Sequence, residues 1–587
     1  MGYYAILDRA PQGRGEGDQR VPARPDAAAG ICRGRGAPGY AGDLPRVVRD
    51  NGRGCTIVMP GHRRQPFGGL VAVTGAGLLA GLLAAGCTGP PAARQQPAAH
   101  PRAPAATRIA VPARPGGVDV RAENARPGYP GWRITSRGQP QEIEGYTDQA
   151  SARPGTAVRL FVSTTATSFR VRALRFGWYG GALARLVWTS AQIPGTRQPA
   201  AVVKAHGMVV APWRPSLPLP TTGWPPGSYL LRLDASSGAQ RYVPLVIRSP
   251  SVAGRVVLVQ PTTTYQAYNL WGGYDLYQGP RRHEALRARV VSFDRPYDRE
   301  DGAADFFAEE QPLLSYAERL GLPLSYISSV DLDLDPHVLD GARAVVSEAH
   351  DEYWSPRMRV ILTRARDRGA NLAFFGANEI YRRIRFGSSP LGPDRIEINY
   401  RNPREDPLYG IDNALVTANW PAPPDADPPS SLTGQVYACA STPAPLIVTE
   451  PHGWIWAGTG ARSGMRLPGL IGHEFDTVDL SGPTPRPIEI LASSPQACAG
   501  SGRAVSADVT YYVAAGGAGV LNVGTESWSC GLPTVAMVTD RCLTTSPPVE
   551  EARVIERATR TILETFARGP AGRAHPATDF LTGQVSH

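Results

Sequence analysis

Residues Ser347 to Arg359 read SEAHDEYWSPRMR, and in them His350, Asp351, Glu352 and Tyr353 follow one another directly. Imidazole and carboxylate placed together are the ordinary materials of general acid–base catalysis, and both ligate metals. The apolar run ARAVV comes before the stretch and the helix-like run VILTRARDRG, closed by glycine, comes after it. The polar cluster therefore stands where a strand turns into a helix. A structural reading stands beside the chemical one. Ser355 before Pro356 is a helix start, because serine accepts the orphan N–H groups of the first turn and proline favours the first helical position. Trp354 reads as core.

The elements that must position this cluster repeat along the chain. The β-branched runs RVVLVQP, ARVVSFD, PLSYISS, ARAVVSEA and ANLAFFGA alternate with amphipathic stretches such as DFFAEEQPLLSYAERLG and the segment from Pro356. That rhythm predicts a parallel, doubly wound α/β domain over 251–587. Ligands of such sheets gather beyond the carboxyl ends of the strands. The segments found there are TTTYQAYNLWGGYDLY (262–277), DRPYD (294–298), HDEYWS (350–355) and NEIYRRIR (378–385). Each combines tyrosine with acid or amide side chains. Tyr265, Tyr268, Trp271, Tyr274 and Tyr277 are expected to wall a cleft, with Asp294 and Tyr297 on its rim. Arg382, Arg383 and Arg385 are expected to be solvated or paired with acids. Glu550–Phe566 has the spacing of a terminal packing helix.

Several chemistries are excluded. No glycine-rich phosphate loop opens a helix after any strand, and the glycines of GGAGVLNVGTESWSCG flank a strand instead. There is no GxSxG elbow and no cysteine at a strand-to-helix elbow, which disfavours serine and cysteine nucleophiles. No CxxC pair exists to hold zinc through thiolates. The net charge of +10 does not signal nucleic-acid binding, because half of the excess lies before Cys87 and neither a basic stripe nor a known motif is present. The basic residues are arginines, apart from Lys204.

Upstream, 116–250 reads as strand after strand, among them AVRLFVSTTA, SFRVRALRFGWYG and GSYLLRLDAS, punctuated by Gly and Pro at the spacing of an antiparallel β-sandwich. Trp178, Tyr179 and Trp224 are expected at its corners, sugar binding being the alternative. Residues 1–58 are Gly-, Arg- and Pro-rich with no hydrophobic period, so they read as a disordered or untranslated leader. From Met59, a short basic stretch precedes GGLVAVTGAGLLAGLLAAG and then Cys87. Residues 59–86 read as a signal peptide, and LLAAGC resembles a bacterial lipobox with Cys87 as the lipid-bearing residue. Residues 87–115 are a Pro/Ala-rich tether. The expectation is an extracytoplasmic envelope lipoprotein on the membrane, or a secreted protein if the lipobox is unused. Outside the cell the remaining cysteines oxidise; Cys530 with Cys542, and Cys439 with Cys498, is the favoured pairing.

TYQAYNLWGGYDLY, VVSFDRPY, AHDEYWSPRMR, FFGANEIYRRIRF and VGTESWSCGL, with FGWYGGALARLV upstream, resemble in order the large (beta) subunit family of N,N-dimethylformamidase over about 116–570. The resemblance implies a class I glutamine amidotransferase-like α/β domain behind the sandwich. It implies mononuclear Fe(III) held by Tyr353, Tyr381 and Glu474, the last in GLIGHEFD, where His473 stands directly beside it. Phenolate and carboxylate are hard oxygen donors suited to such an ion, and three protein ligands leave positions open. His350, Glu352, Asn378 and His473 are then the acid, base and orienting candidates. The implied activity is hydrolysis of a small amide or another C–N bond, with a small subunit or a second copy as partner. The rival readings are a metal-free α/β hydrolase and a non-catalytic surface lipoprotein that binds glycan or protein.

Overall fold

The computed structural model describes residues 117–539, 542 and 549–579. The expected leader, signal peptide, lipidated Cys87 and tether lie outside the described residues. Among those described, no helix is long and apolar enough to cross a membrane.

The fold is rich in β-structure and divided among several sheets. In the upstream region, Ile143–Thr147, Val158–Thr164 and Leu217–Leu219 form a three-stranded antiparallel sheet. Facing it is a sheet built on Ser168–Phe176, Gly227–Ala235 and Gln240–Ile247. Alternate side chains of a strand point to opposite faces, so one set can fill the space between the sheets. Leu160 and Val162 there meet Val171, Leu231 and Leu245. Much of the other set is covered as well. Leu174, Phe176 and Leu230 join Phe306, Phe307 and Tyr316 in an apolar cluster that continues into the downstream region. Arg175 and Glu318, both fully buried, pair across this boundary at 2.6 Å.

The downstream region is organised by a seven-stranded sheet. Its order is Leu324–Ser328, Val256–Gln260, Ala344–Ser347, Asn371–Phe374, Gly519–Asn522, Ala504–Val513, Ile488–Ala497. The first five strands are parallel, and the last two pairings are antiparallel. The sheet is therefore mixed, where the sequence rhythm predicts parallel strands throughout. Val256 and Leu258 pack on one face with Leu313 and Leu314 of the Gln311–Leu320 helix and Ile562 of the Val549–Phe566 helix. Val257 and Val259 pack on the other with Ile361 and Leu362 of the Pro356–Asp367 helix. Ser355 caps that last helix, its Oγ accepting from the Met358 N–H at 3.2 Å.

Two elements depart from expectation. Val290–Ser292, in the run ARVVSFD, leaves the central sheet and pairs antiparallel with Gly392–Ile398. A parallel neighbour needs a long crossover, and the chain between 260 and 290 has only the short helix Thr262–Ala267 and single turns. The amphipathic run from Asp305 also begins irregularly, with a π-helical turn over Phe306–Glu310 before the α-helix. Cys439 is joined to Cys498 and Cys530 to Cys542.

Candidate metal centre

The carboxyl ends of neighbouring strands build the site. Past Ser347 and Phe374 the two chains stay side by side. Ile380 N donates to Asp351 O at 2.9 Å and Arg382 N to Glu352 O at 2.8 Å, so that Tyr353–Trp354 pairs in parallel with Arg382–Arg383. The close approach needs a glycine. A Cβ on Gly376 would lie 1.2 Å from the carbonyl oxygen of Ala349. Ala349, Asn378 and His473 hold left-handed backbone (φ 58°, 58° and 51°), each at or beside a candidate residue. Such conformations are costly for side chains with a Cβ and persist where the surroundings impose them.

His350 lies at the centre and is buried. Four carboxylates face its ring. Nδ1 is 3.5 Å from Glu526 and 3.6 Å from Glu309; Nε2 is 3.5 Å from Glu474 and 3.6 Å from Glu352. At those distances neither nitrogen has a hydrogen-bond partner. Burial pushes the imidazole down, but Glu526, Glu309 and Glu474 outweigh it and hold its pKa well above the ordinary range. Ligand atoms of His350, Glu474 and Glu526 all fall within 4.8 Å of one another.

Glu352 is fixed from three sides. It accepts from Tyr268 OH at 2.7 Å, from Tyr277 OH at 2.9 Å and from Arg382 Nε at 3.0 Å. Burial disfavours its charge, yet Arg382, His350 and the two phenols hold its pKa below the usual carboxylate range. Tyr353 OH donates to Tyr277 OH at 2.7 Å, so this phenol joins the same network. Burial, then the Glu352 carboxylate, raise the Tyr353 pKa well above its ordinary value. An adjacent cation is what would convert it to phenolate.

Glu474 accepts from Asn378 Nδ2 at 2.8 Å and from Tyr437 OH at 3.2 Å. Tyr381 stands one ring further out, its centroid 5.2 Å from that of Tyr437 and its OH accepting from Asn419 Nδ2 at 3.0 Å. His473 is half-buried on the Arg466–Thr477 strand, next to Glu474. Behind these residues, burial lifts the carboxyls of Asp351 and Asp476 to about 7.

Of the residues singled out by sequence, His350, Glu352 and Glu474 thus meet around one point. Asn378 braces Glu474, Tyr353 is tied in through Tyr277, and Tyr381 reaches Glu474 through Tyr437. Sequence reasoning missed Glu309, Glu526 and Tyr437. Glu526 carried a signal, since it follows the Gly519–Asn522 strand by a few residues at the carboxyl end. Glu309 carried none, being one acid in an amphipathic run.

The residues present fit a cation. The carboxyl groups around His350 outnumber the positive charges that the imidazole and Arg382 supply, and a buried excess of carboxylate is costly unless a further positive charge joins it. Imidazole nitrogen and carboxylate oxygen are first-row metal ligands.

Comparison with known proteins bears on the same residues. The family described as "N,N-dimethylformamidase beta subunit-like, C-terminal" matches residues 170–541, a span that contains every residue of the site. No curated protein matches by sequence. Among solved structures, a Paenibacillus sp. cycloisomaltooligosaccharide glucanotransferase complexed with cycloisomaltoheptaose is similar at 9% identity and a TM-score of 0.14. That likeness covers 40% of this chain and 44% of the other, less than half of its length, and carries no functional implication. With the match running over most of the chain and enclosing the whole His350 cluster, this protein belongs to the N,N-dimethylformamidase beta subunit-like, C-terminal family.

Proposed function

We propose that this protein is a metal-dependent hydrolase of small amides or related C–N bonds, exported and held at the cell envelope through lipid on Cys87. The observation that carries the catalytic reading is the His350 imidazole, buried without a hydrogen bond among four carboxylates inside a dimethylformamidase-like chain. The central sheet is read as a doubly wound, class I glutamine amidotransferase-like domain, supported by its parallel strands with helices on both faces. A small subunit or a second copy is the proposed partner.

Two donor sets share Glu474. Tyr353, Tyr381 and Glu474 are the set implied by resemblance, and the contact of Tyr381 with Tyr437, whose OH donates to Glu474, supports it. These hard oxygen donors suit mononuclear Fe(III). His350, Glu474 and Glu526 are the set favoured by the convergence of their ligand atoms. The ion, when bound, supplies Lewis acidity toward an amide carbonyl and lowers the pKa of water.

The chain's own groups have separable tasks. Glu352, held as a carboxylate by Tyr268, Tyr277 and Arg382, faces His350 Nε2 at 3.6 Å and favours the charged imidazole. Asn378 orients Glu474. Tyr268 and Tyr277, stacked with centroids 4.5 Å apart, wall the site and exclude bulk water.

Metal content and turnover of an amide panel, measured for Tyr353→Phe, Tyr381→Phe, His350→Ala and Glu526→Ala, test the reading. Loss of iron and of a visible phenolate band in the tyrosine variants supports the first set. Loss of metal in the other two, from a colourless protein, supports the second. Metal retained by all four removes both sets, and a metal-loaded protein that turns over no amide removes the hydrolase.

A further inference from the structure

Among the described residues, the large apolar side chains that face solvent are not scattered. Val202, Val203, Leu286, Tyr409, Ile411 and Leu415 are six of the eleven, Ile411 being 80% exposed and the others 41–54%. They lie on three segments that bond to one another. Arg289 N donates to His206 O at 2.9 Å, and the His206 ring meets Tyr400 edge-on at 5.9 Å. Arg287 Nη2 donates to Tyr400 O at 3.0 Å, and Arg289 Nη2 to Glu405 at 2.9 Å. The hairpin Val202–Val203 with Val209–Val210, the segment 279–289 and the segment 400–415 therefore form one surface.

The polar groups of that surface are mostly cationic. Lys204, Arg281, Arg282 and Arg404 are exposed, and Arg287 and Arg289, half-buried, share Glu405; Glu284 and Asp412 are the other exposed acids of the same segments. A groove of about 420 Å³ runs between the first two segments, lined by Val203, Lys204, His206, Leu286, Arg287 and Arg289. Arg281 and Arg282 are both exposed and both hold left-handed backbone, φ 56° and 60°. Two such residues in succession keep the loop in a costly shape that presents both guanidinium groups outward.

Exposed aliphatic tips set among unbalanced cations have the composition of an interfacial membrane surface. Aliphatic groups gain by entering the boundary between headgroups and acyl chains, and arginine and lysine gain from anionic headgroups. A free anion in the groove would leave the six apolar side chains in water. An apolar protein partner would bury cations without counter-charge. We propose that this surface docks the protein on an anionic lipid bilayer. The inference stands apart from the metal-site reading and from lipid on Cys87.

The test is vesicle flotation of the chain from Thr88 onward, so that neither the apolar stretch before Cys87 nor an acyl group contributes. Vesicles of phosphatidylcholine alone are compared with vesicles that also hold about one third phosphatidylglycerol. Binding only to the anionic vesicles is expected. It should fall about a hundredfold in Lys204→Glu/Arg281→Glu/Arg282→Glu, at roughly fivefold per lost cation before reversal is counted. It should also fall in Val203→Ser/Ile411→Ser, whose exposed positions leave the fold alone. Equal binding to neutral vesicles, no binding, or indifference to both variants overturns the proposal. So does displacement by inorganic phosphate at matched ionic strength, which would make the groove a free-ion site. A dimer that the serine variants dissociate would overturn it in favour of self-association.

Discussion

Glu352→Gln is the most informative single change in the network around His350. The carboxylate takes hydrogen bonds from two phenols and the Arg382 guanidinium, and its side chain is 1% exposed against 9% for Arg382. The amide keeps one acceptor oxygen and brings two N–H donors beside the Arg382 guanidinium, which cannot accept them. Arg382 is left with the Asn419 side chain as its acceptor. Removing one member of a buried pair costs about 3–5 kcal/mol, because the other charge stays buried. The retained oxygen returns part of this, so about 3 kcal/mol is expected. Arg382→Gln should cost a similar amount for the mirror-image reason. In the double variant no charge is stranded, so its cost should fall at least about 2 kcal/mol short of the sum. Urea unfolding of the four proteins, followed by far-UV circular dichroism and tryptophan fluorescence, gives the cycle. Costs that add to within about 0.5 kcal/mol would show that Glu352 and Arg382 do not hold each other, and the positioning argument would fail.

Three further outcomes follow from the same structure. Glu310, buried beneath Ser228, Gln260 and Tyr265, has its carboxyl pushed up to about 7 chiefly by burial. Between about pH 4.5 and 7 the folded chain therefore keeps a proton that the unfolded chain releases, and stability should decline across that window by up to about 3 kcal/mol for this group; Glu310→Gln should flatten that decline, and an unchanged pH profile would refute the assignment. Gly376→Ala should displace the Ala349 carbonyl and with it His350, lowering amide turnover and metal retention together, whereas full activity in this variant would show that the two loops can part. Opening Cys439–Cys498, which closes a separation of 59 residues, should cost about 4 kcal/mol, and opening Cys530–Cys542, separated by 12, about 3 kcal/mol, read as denaturant midpoints of the serine variants.

Much of the positional logic was legible in the sequence because it rests on local periods. The strand runs at 256, 324, 344 and 371, the Ser355–Pro356 helix start and the terminal helix all appear where alternation, capping and amphipathic spacing place them. The rule that strand ends carry the chemistry brought out His350, Glu352 and Asn378 without contact information. What stayed hidden depends on pairing between distant segments. Nothing local in ARVVSFD distinguishes a strand of the main sheet from one that pairs with 392–398. Nor does a local period reveal that Glu309, on a π-helical turn, and Tyr437, on a distant hairpin, close around His350 and Glu474. The antiparallel edge of the sheet was likewise invisible, because direction is set by connections and not by the strands themselves.

Metal analysis of purified wild-type protein and its Glu474→Ala variant is the most direct test, since Glu474 belongs to both donor sets. With ample metal during expression, the wild type should hold one ion per chain and the variant should lose it along with amide turnover. A metal-free wild type, or a variant that keeps its ion, would contradict the account.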